Sequence, residues 1–197
     1  RDILQYEEVH RLISVAVPLG ISHVRITGGE PLVRRGVVPF IASLRNISGI
    51  EDISVTTNGV LLEEMASGLR DAGISRLNIS LDSLDPKRFA GITGSDAWHK
   101  VWRGIEAAER CGFDPIKINV VPVKGVNDDE VVAFARLTVD RRIHVRFIEF
   151  MPIGANDRWH TDACVPAGEI RETIEKVFGP LEPADPGKGA GPSQNFR

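Results

Sequence analysis

The stretch Val24-Arg25-Ile26-Thr27-Gly28-Gly29-Glu30-Pro31 decides how the chain is read. Three of its first four residues are β-branched and predict a strand. The paired glycines end that strand and let the backbone turn with its N–H groups exposed. Glu30 adds a carboxylate, and Pro31 stiffens the exit toward a helix. A tight strand-to-helix turn and a ligand loop both use such residues, and the stretch alone fits either.

Outward from this point the same unit recurs. Short runs rich in β-branched residues predict strands at Val24–Thr27, Ile53–Thr57, Leu77–Leu81, Lys117–Val121 and Val145–Phe150. Helical patterns lie between them, near Val37–Arg45, Glu63–Ala72, Ala97–Arg110 and Asp128–Thr138, with further helices near Tyr6–Val17 and Ala167–Phe178. Local signals support these limits. Asp85-Pro86 reads as an N-cap followed by a first-turn proline, and Asn127-Asp128-Asp129-Glu130 places carboxylates at a helix start. Gly73 and Gly112 stand just past helix ends, where a left-handed residue is often required.

Alternating strands and helices predict parallel pairing through right-handed crossovers, in either an open doubly wound sheet or a (β/α) barrel. The strand ends separate the two. All five finish on polar or reactive groups: Thr27-Gly28-Gly29-Glu30, Thr56-Thr57-Asn58, Ser80-Leu81-Asp82, Asn119 and Glu149-Phe150-Met151. A barrel gathers every strand's carboxyl end around one site, whereas an open sheet uses mainly its switch point. The expectation is therefore an α/β chain forming a partial (β/α) barrel over residues 1–178. A Pro/Gly-rich segment follows over residues 179–197, and within it Gly187-Lys188-Gly189-Ala190-Gly191 reads as a flexible loop, since it follows no strand and opens no helix.

Composition narrows the function. The chain has 197 residues, with 24 Lys and Arg against 27 Asp and Glu, a formal net charge of −3. Such a balance argues against duplex nucleic acid as the main partner, because phosphate backbones select a basic excess. Hydrophobic residues make up 42%, enough for one sizeable core. No run approaches the length of a membrane-spanning helix. Cys111 and Cys164 are too few for a thiolate metal site within the chain, and the five histidines show no metal-ligand spacing. Trp98, Trp102 and Trp159 read as packing residues.

Three strands carry a cation inside an apolar frame: His23-Val24-Arg25-Ile26, Ile116-Lys117-Ile118 and Val145-Arg146-Phe147. A buried unpaired cation costs several kcal/mol, so each needs a partner or a hydrated lumen. Asp82 or Glu149 could supply an internal ion pair. Three cations on three strands point instead to a cavity built for an anion, phosphate above all. Alternation places Arg25 with Thr27, Lys117 with Asn119, and Asn78 with Ser80 and Asp82. Arg146 and Glu149 cannot share a face without a bulge, and either could point inward.

These segments together carry a family pattern. Arg25-Ile26-Thr27-Gly28-Gly29-Glu30-Pro31-Leu32 resembles the second-strand motif of radical S-adenosylmethionine (SAM) enzymes. With Thr56-Thr57-Asn58-Gly59, Asn78–Asp85, Lys117–Val121 and Arg146–Pro152 in that order, the set is similar to the GTP 3′,8-cyclase family of molybdenum cofactor biosynthesis. The resemblance runs from about Leu4 to Phe178. It implies a cytoplasmic lyase that binds SAM on a [4Fe–4S] cluster and converts GTP to 3′,8-cyclo-7,8-dihydro-GTP. A 5′-deoxyadenosyl radical would abstract the 3′ hydrogen of GTP. By matching positions, Gly29, Glu30, Ser80, Asn119 and Met151 would contact SAM, and Arg25, Thr56, Lys117 and Arg146 would face GTP. Implied partners are an electron donor, a downstream cyclic pyranopterin monophosphate synthase that receives the product, and a second copy in a homodimer. Neither of the family's cysteine motifs is present, so the chain by itself is expected to lack the cluster ligands, the first barrel strand and SAM cleavage. Two other readings share these residues, a peptide-modifying radical SAM enzyme and a cluster-free nucleotide-binding protein.

Overall fold

The computed structural model describes residues 3–151, 161–185 and 193–197. Five parallel strands form one sheet: β1 (His23–Ile26), β2 (Asp52–Thr57), β3 (Arg76–Ser80), β4 (Ile116–Val120) and β5 (Ile143–Phe147). Helix α1 (Tyr6–Ala16) precedes them. The crossovers carry α2 (Val37–Leu44), α3 (Leu62–Asp71), α4 (Pro86–Thr93) with α5 (Trp98–Arg110), and α6 (Val131–Asp140), and α7 (Ala167–Phe178) follows β5. The strands lie side by side in chain order, β1-β2-β3-β4-β5. A doubly wound sheet would reverse that order at a switch point, so the winding is that of a (β/α) barrel.

Register explains which face the helices of the core cover. Ile26, Val55, Leu77, Ile116 and Ile143 stand in one row across the sheet, and Thr57, Ile79, Ile118 and Val145 in the next. These rows pack against Phe40, Ile41 and Leu44 of α2, Leu62 and Leu69 of α3, and Val101, Ile105 and Ala108 of α5. The alternate rows are polar: Arg25, Ser54 and Arg76; then Thr56, Asn78, Lys117 and His144; then Ser80, Asn119 and Arg146. Because side chains alternate along a strand, this second set faces away from the helices, into the concave side of the sheet. A smaller apolar cluster of Val131, Ala135, Val165, Ile170 and Ile174 joins α6 to α7.

Close packing between α5 and the loop after β2 depends on a missing side chain. A Cβ on Gly104 would lie 2.6 Å from the carbonyl oxygen of Gly59 and 3.0 Å from Leu62 Cβ.

Most expected boundaries hold within two residues, with Gly73 and Gly112 at φ 94° and 74°. Two do not. The stretch after Asp85 is a full helix, α4, opened by the Asp85 carboxylate accepting from Arg88 N at 2.7 Å. The last strand ends at Phe147, not Phe150. After Ile148 N donates to Val120 O at 2.9 Å, the chain leaves the sheet. The expected features at Trp159, His160 and Gly187–Gly191 lie outside the described residues.

Candidate functional site at the carboxyl ends of the strands

Among the described strand residues, the concave face carries four cations, Arg25, Arg76, Lys117 and Arg146, against one carboxylate, Asp52. Asp52 pairs with Arg76. Among the described residues, none of the other three cations has an ion pair. Their burial differs from the sequence expectation: Arg25 is exposed, while Lys117 and Arg146 are half-buried. The reason is that, among the described residues, the helices of the core pack on the apolar rows, so the cations stand on the opposite face rather than inside the core.

Neither acid that could have neutralised them does so. Asp82 Oδ1 accepts from Val121 N at 3.0 Å, and Glu149 Oε1 accepts from Ala167 N at 2.8 Å at the start of α7. Glu149 therefore turns toward the helix layer's edge, and Arg146 shares its row with Asn119 on the concave side. That resolves the direction of both residues.

The electrostatics follow from crowding. Burial is the main force holding the Lys117 ammonium below its ordinary pKa, and Arg146, Arg76 and Arg25 add repulsion. Burial likewise lowers Arg146, with Arg25 contributing. His144 is lowered by burial and by Lys117, against an opposing pull from Asp114. Asp82 is raised by burial, partly offset by the bond from Val121 N. A polyanion seated here would relieve the mutual repulsion of the cations.

Five further residues singled out in the sequence lie at or beside the strand ends. Thr56 is half-buried in the row of Asn78, Lys117 and His144. Ser80 is exposed beside Asn119, and Met151 is 67% exposed. Gly28 has φ 139°, which disfavours a side chain, and a Cβ at Gly28 or Gly29 would meet nothing within 4 Å. The protein itself thus leaves room beside this loop. Asn119 Oδ1 is buried and accepts no hydrogen bond, the one such side-chain atom among the described residues. A buried acceptor without a donor costs about 1–3 kcal/mol, so a ligand N–H or O–H is its natural complement.

Glu30 is placed differently from a free ligand contact. Its Oε1 accepts from Thr57 Oγ1 at 2.8 Å and Leu32 N at 3.0 Å, and its Oε2 from Asn58 N at 2.6 Å. The carboxylate laces the loop after β1 to the end of β2.

Sequence reasoning left out Arg76 and His144 on the concave face, though extending the alternation of their strands back by one step reaches both. It also read Asn127 and Glu130 only as a helix start. Glu130, 8% exposed, accepts from Ser83 Oγ, Leu84 N and Arg88. No local pattern signals that inward turn.

The chain as a whole is similar to known proteins. The model of the radical SAM superfamily matches residues 1–138. The chain belongs to the radical SAM superfamily. A protein of Gloeobacter violaceus named GTP 3′,8-cyclase is 53% identical over 189 residues, which cover 95% of this chain and 58% of that protein. A GTP 3′,8-cyclase of Geobacter sulfurreducens is 51% identical over 196 residues, covering 100% of this chain and 60% of that protein. The chain thus spans somewhat under two thirds of the length of these relatives. Among solved structures, anSMEcpe with bound AdoMet and a Cp18Cys peptide shares the fold at a TM-score of 0.66 and 16% identity, covering 90% of this chain and 52% of that one.

Among the described residues, no group of three or more His, Cys, Asp or Glu is placed to hold a metal ion. Cys111 caps the end of α5, and Cys164 forms a β-bridge with Val123. No helix among the described residues is long and apolar enough to cross a membrane.

Proposed function

We propose that the chain is the ligand-binding portion of a GTP 3′,8-cyclase, which converts GTP to 3′,8-cyclo-7,8-dihydro-GTP in molybdenum cofactor biosynthesis. The observation that carries this reading is the set of Arg25, Lys117 and Arg146 on one concave face with no ion-pair partner among the described residues. Three cations of two kinds on rigid strands suit a triphosphate, Arg as a fork and Lys as a point charge. Thr56, on the same face, would hydrogen-bond the nucleotide. Fixing the polyphosphate on strands rather than loops holds the ribose in one position for reaction.

The residues also fit SAM. Gly29 offers uncrowded backbone, Asn119 Oδ1 awaits a donor, Ser80 stands beside Asn119, and Met151, exposed after β5, would supply a further contact. Glu30 would contact SAM while it also fixes Thr57 and Asn58. When bound to a [4Fe–4S] cluster, whose ligands would lie outside this chain, SAM supplies the radical that activates the substrate. The cations of the concave wall neutralise the nucleotide's charge without taking part in bond changes. A cytoplasmic setting, an external electron donor, a homodimer and product hand-off to cyclic pyranopterin monophosphate synthase complete the proposal.

The test is anaerobic turnover by the cluster-reconstituted protein that carries this chain, given SAM, a reductant and GTP. GTP-dependent formation of the cyclised nucleotide supports the reading. Cleavage of SAM that ignores GTP and yields no cyclised nucleotide overturns it.

A further inference from the structure

Behind the ends of β3 and β4, the start of α6 makes a buried clasp. Asn127 is 2% exposed, and it bridges both strand exits. Its Oδ1 accepts from Val123 N at 2.6 Å, and its Nδ2 donates to Asp82 O at 2.6 Å and to Val121 O at 3.0 Å. Three residues on, the Glu130 carboxylate accepts from Ser83 Oγ at 2.9 Å, Leu84 N at 2.6 Å and Arg88 Nη1 at 2.6 Å. Ser83 O accepts in turn from Trp98 Nε1 at 3.1 Å, and Arg88 also pairs with Asp129. Asp82 O, Ser83 Oγ, Ser83 O and Leu84 N on the exit from β3 are thereby tied to Asn127, Glu130 or Trp98.

We propose that Asn127 and Glu130 are positioning residues for the cofactor end of the site, and this rests on the functional reading above. Both are buried and engaged by the protein itself: Glu130 accepts from three protein donors, and Asn127 bonds three backbone groups. What they hold is the spacing of two strand ends. Leu81 N donates to Asn119 O at 3.0 Å, and Ser80 stands in register with Asn119, so the clasp sets where the Ser80 hydroxyl and the partnerless Asn119 Oδ1 lie. Two observations separate this from a general stabilising role. Of the strands, the clasp touches only the exits of β3 and β4; Arg25 and Lys117 lie one or more rows back, held by the sheet ladder itself, and Arg146, in the row of Asn119, stands on β5, to which Asn127 and Glu130 make no bond. Loosening the clasp therefore moves the SAM contacts and leaves the polyphosphate contacts in place.

The experiment measures SAM and GTP affinities separately by calorimetry, on the reconstituted protein and on Asn127→Ala, Glu130→Ala and Ser83→Ala. Ser83→Ala removes one of three donors to Glu130 without stranding a buried charge, and it is read wherever the larger changes prevent folding. Each variant is expected to bind SAM roughly ten- to a hundredfold more weakly, with GTP affinity within about twofold of wild type, the scale set by misplacement of a positioned group. Unchanged SAM affinity overturns the proposal, and so do equal losses for both ligands, which mark a merely structural role. A wild-type protein that binds GTP but no SAM overturns the functional reading itself, and the proposal with it.

Discussion

Replacing Lys117 with Met separates stability from binding at one position. The methionine keeps most of the apolar stem and removes the ammonium. In the free protein that ammonium is half-buried, without an ion pair among the described residues, and repelled by Arg146, Arg76 and Arg25. Its loss removes a desolvated charge and exposes no orphaned partner, so Lys117→Met should melt at or above the wild-type temperature. Ligand binding should move the other way. A charge-assisted hydrogen bond to phosphate contributes about 1.5–3 kcal/mol, which is roughly 10- to 150-fold in affinity. Calorimetric titration of the reconstituted protein with GTP and with SAM, beside thermal melts without ligand, reads both effects. GTP affinity should fall by that factor while SAM affinity stays nearly constant. A melting temperature several degrees lower would mean that Lys117 stabilises the fold. Unchanged GTP affinity would remove it from the site. Either result refutes the reasoning.

Glu30→Gln retains one acceptor oxygen where the carboxylate serves three donors, so it should cost about 1–2 kcal/mol. At roughly 2–4 °C per kcal/mol for a domain of this size, differential scanning calorimetry resolves it. Gly104→Ala drives a methyl against the Gly59 carbonyl and Leu62 and should cost about 1–3 kcal/mol in a denaturant titration. An unchanged midpoint would mean that α5 shifts freely. The lowered pKa of Lys117 gives a pH signature. Bound polyanion favours the ammonium, so GTP affinity is fully present below the free protein's lowered pKa and declines as pH rises through it. Binding above that pKa is accompanied by proton uptake, detectable from the buffer dependence of the binding heat. Lys117→Met should flatten that decline.

The order of elements was legible in the sequence because period-two apolar runs and helical runs alternate with clear punctuation. Barrel-type winding was legible from the polar residue closing each strand, and the consecutive strand order agrees with it. The burial of the cations was not. Arg25 sits between Val24 and Ile26, a frame typical of a strand covered on both faces, yet the helices of the core pack on the opposite face and Arg25 is exposed. Long-range pairings were also hidden. Nothing in Asp128-Asp129-Glu130 tells which acid turns inward, because the Ser83 and Leu84 donors come from a loop 46 or 47 residues earlier. Glu30 shows a related ambiguity: beside two glycines a carboxylate suits a ligand or a neighbouring strand, and here its acceptors meet Thr57 and Asn58.

The central claim is that one concave face holds the nucleotide's triphosphate on Arg25, Lys117 and Arg146 and offers SAM the partnerless Asn119 oxygen. An anaerobic crystal structure of the cluster-reconstituted protein with both GTP and SAM tests it most directly. The account predicts phosphate oxygens within about 3.2 Å of all three cations and a SAM donor at the same range from Asn119 Oδ1. Triphosphate bound elsewhere, with only solvent around the three cations, would contradict it.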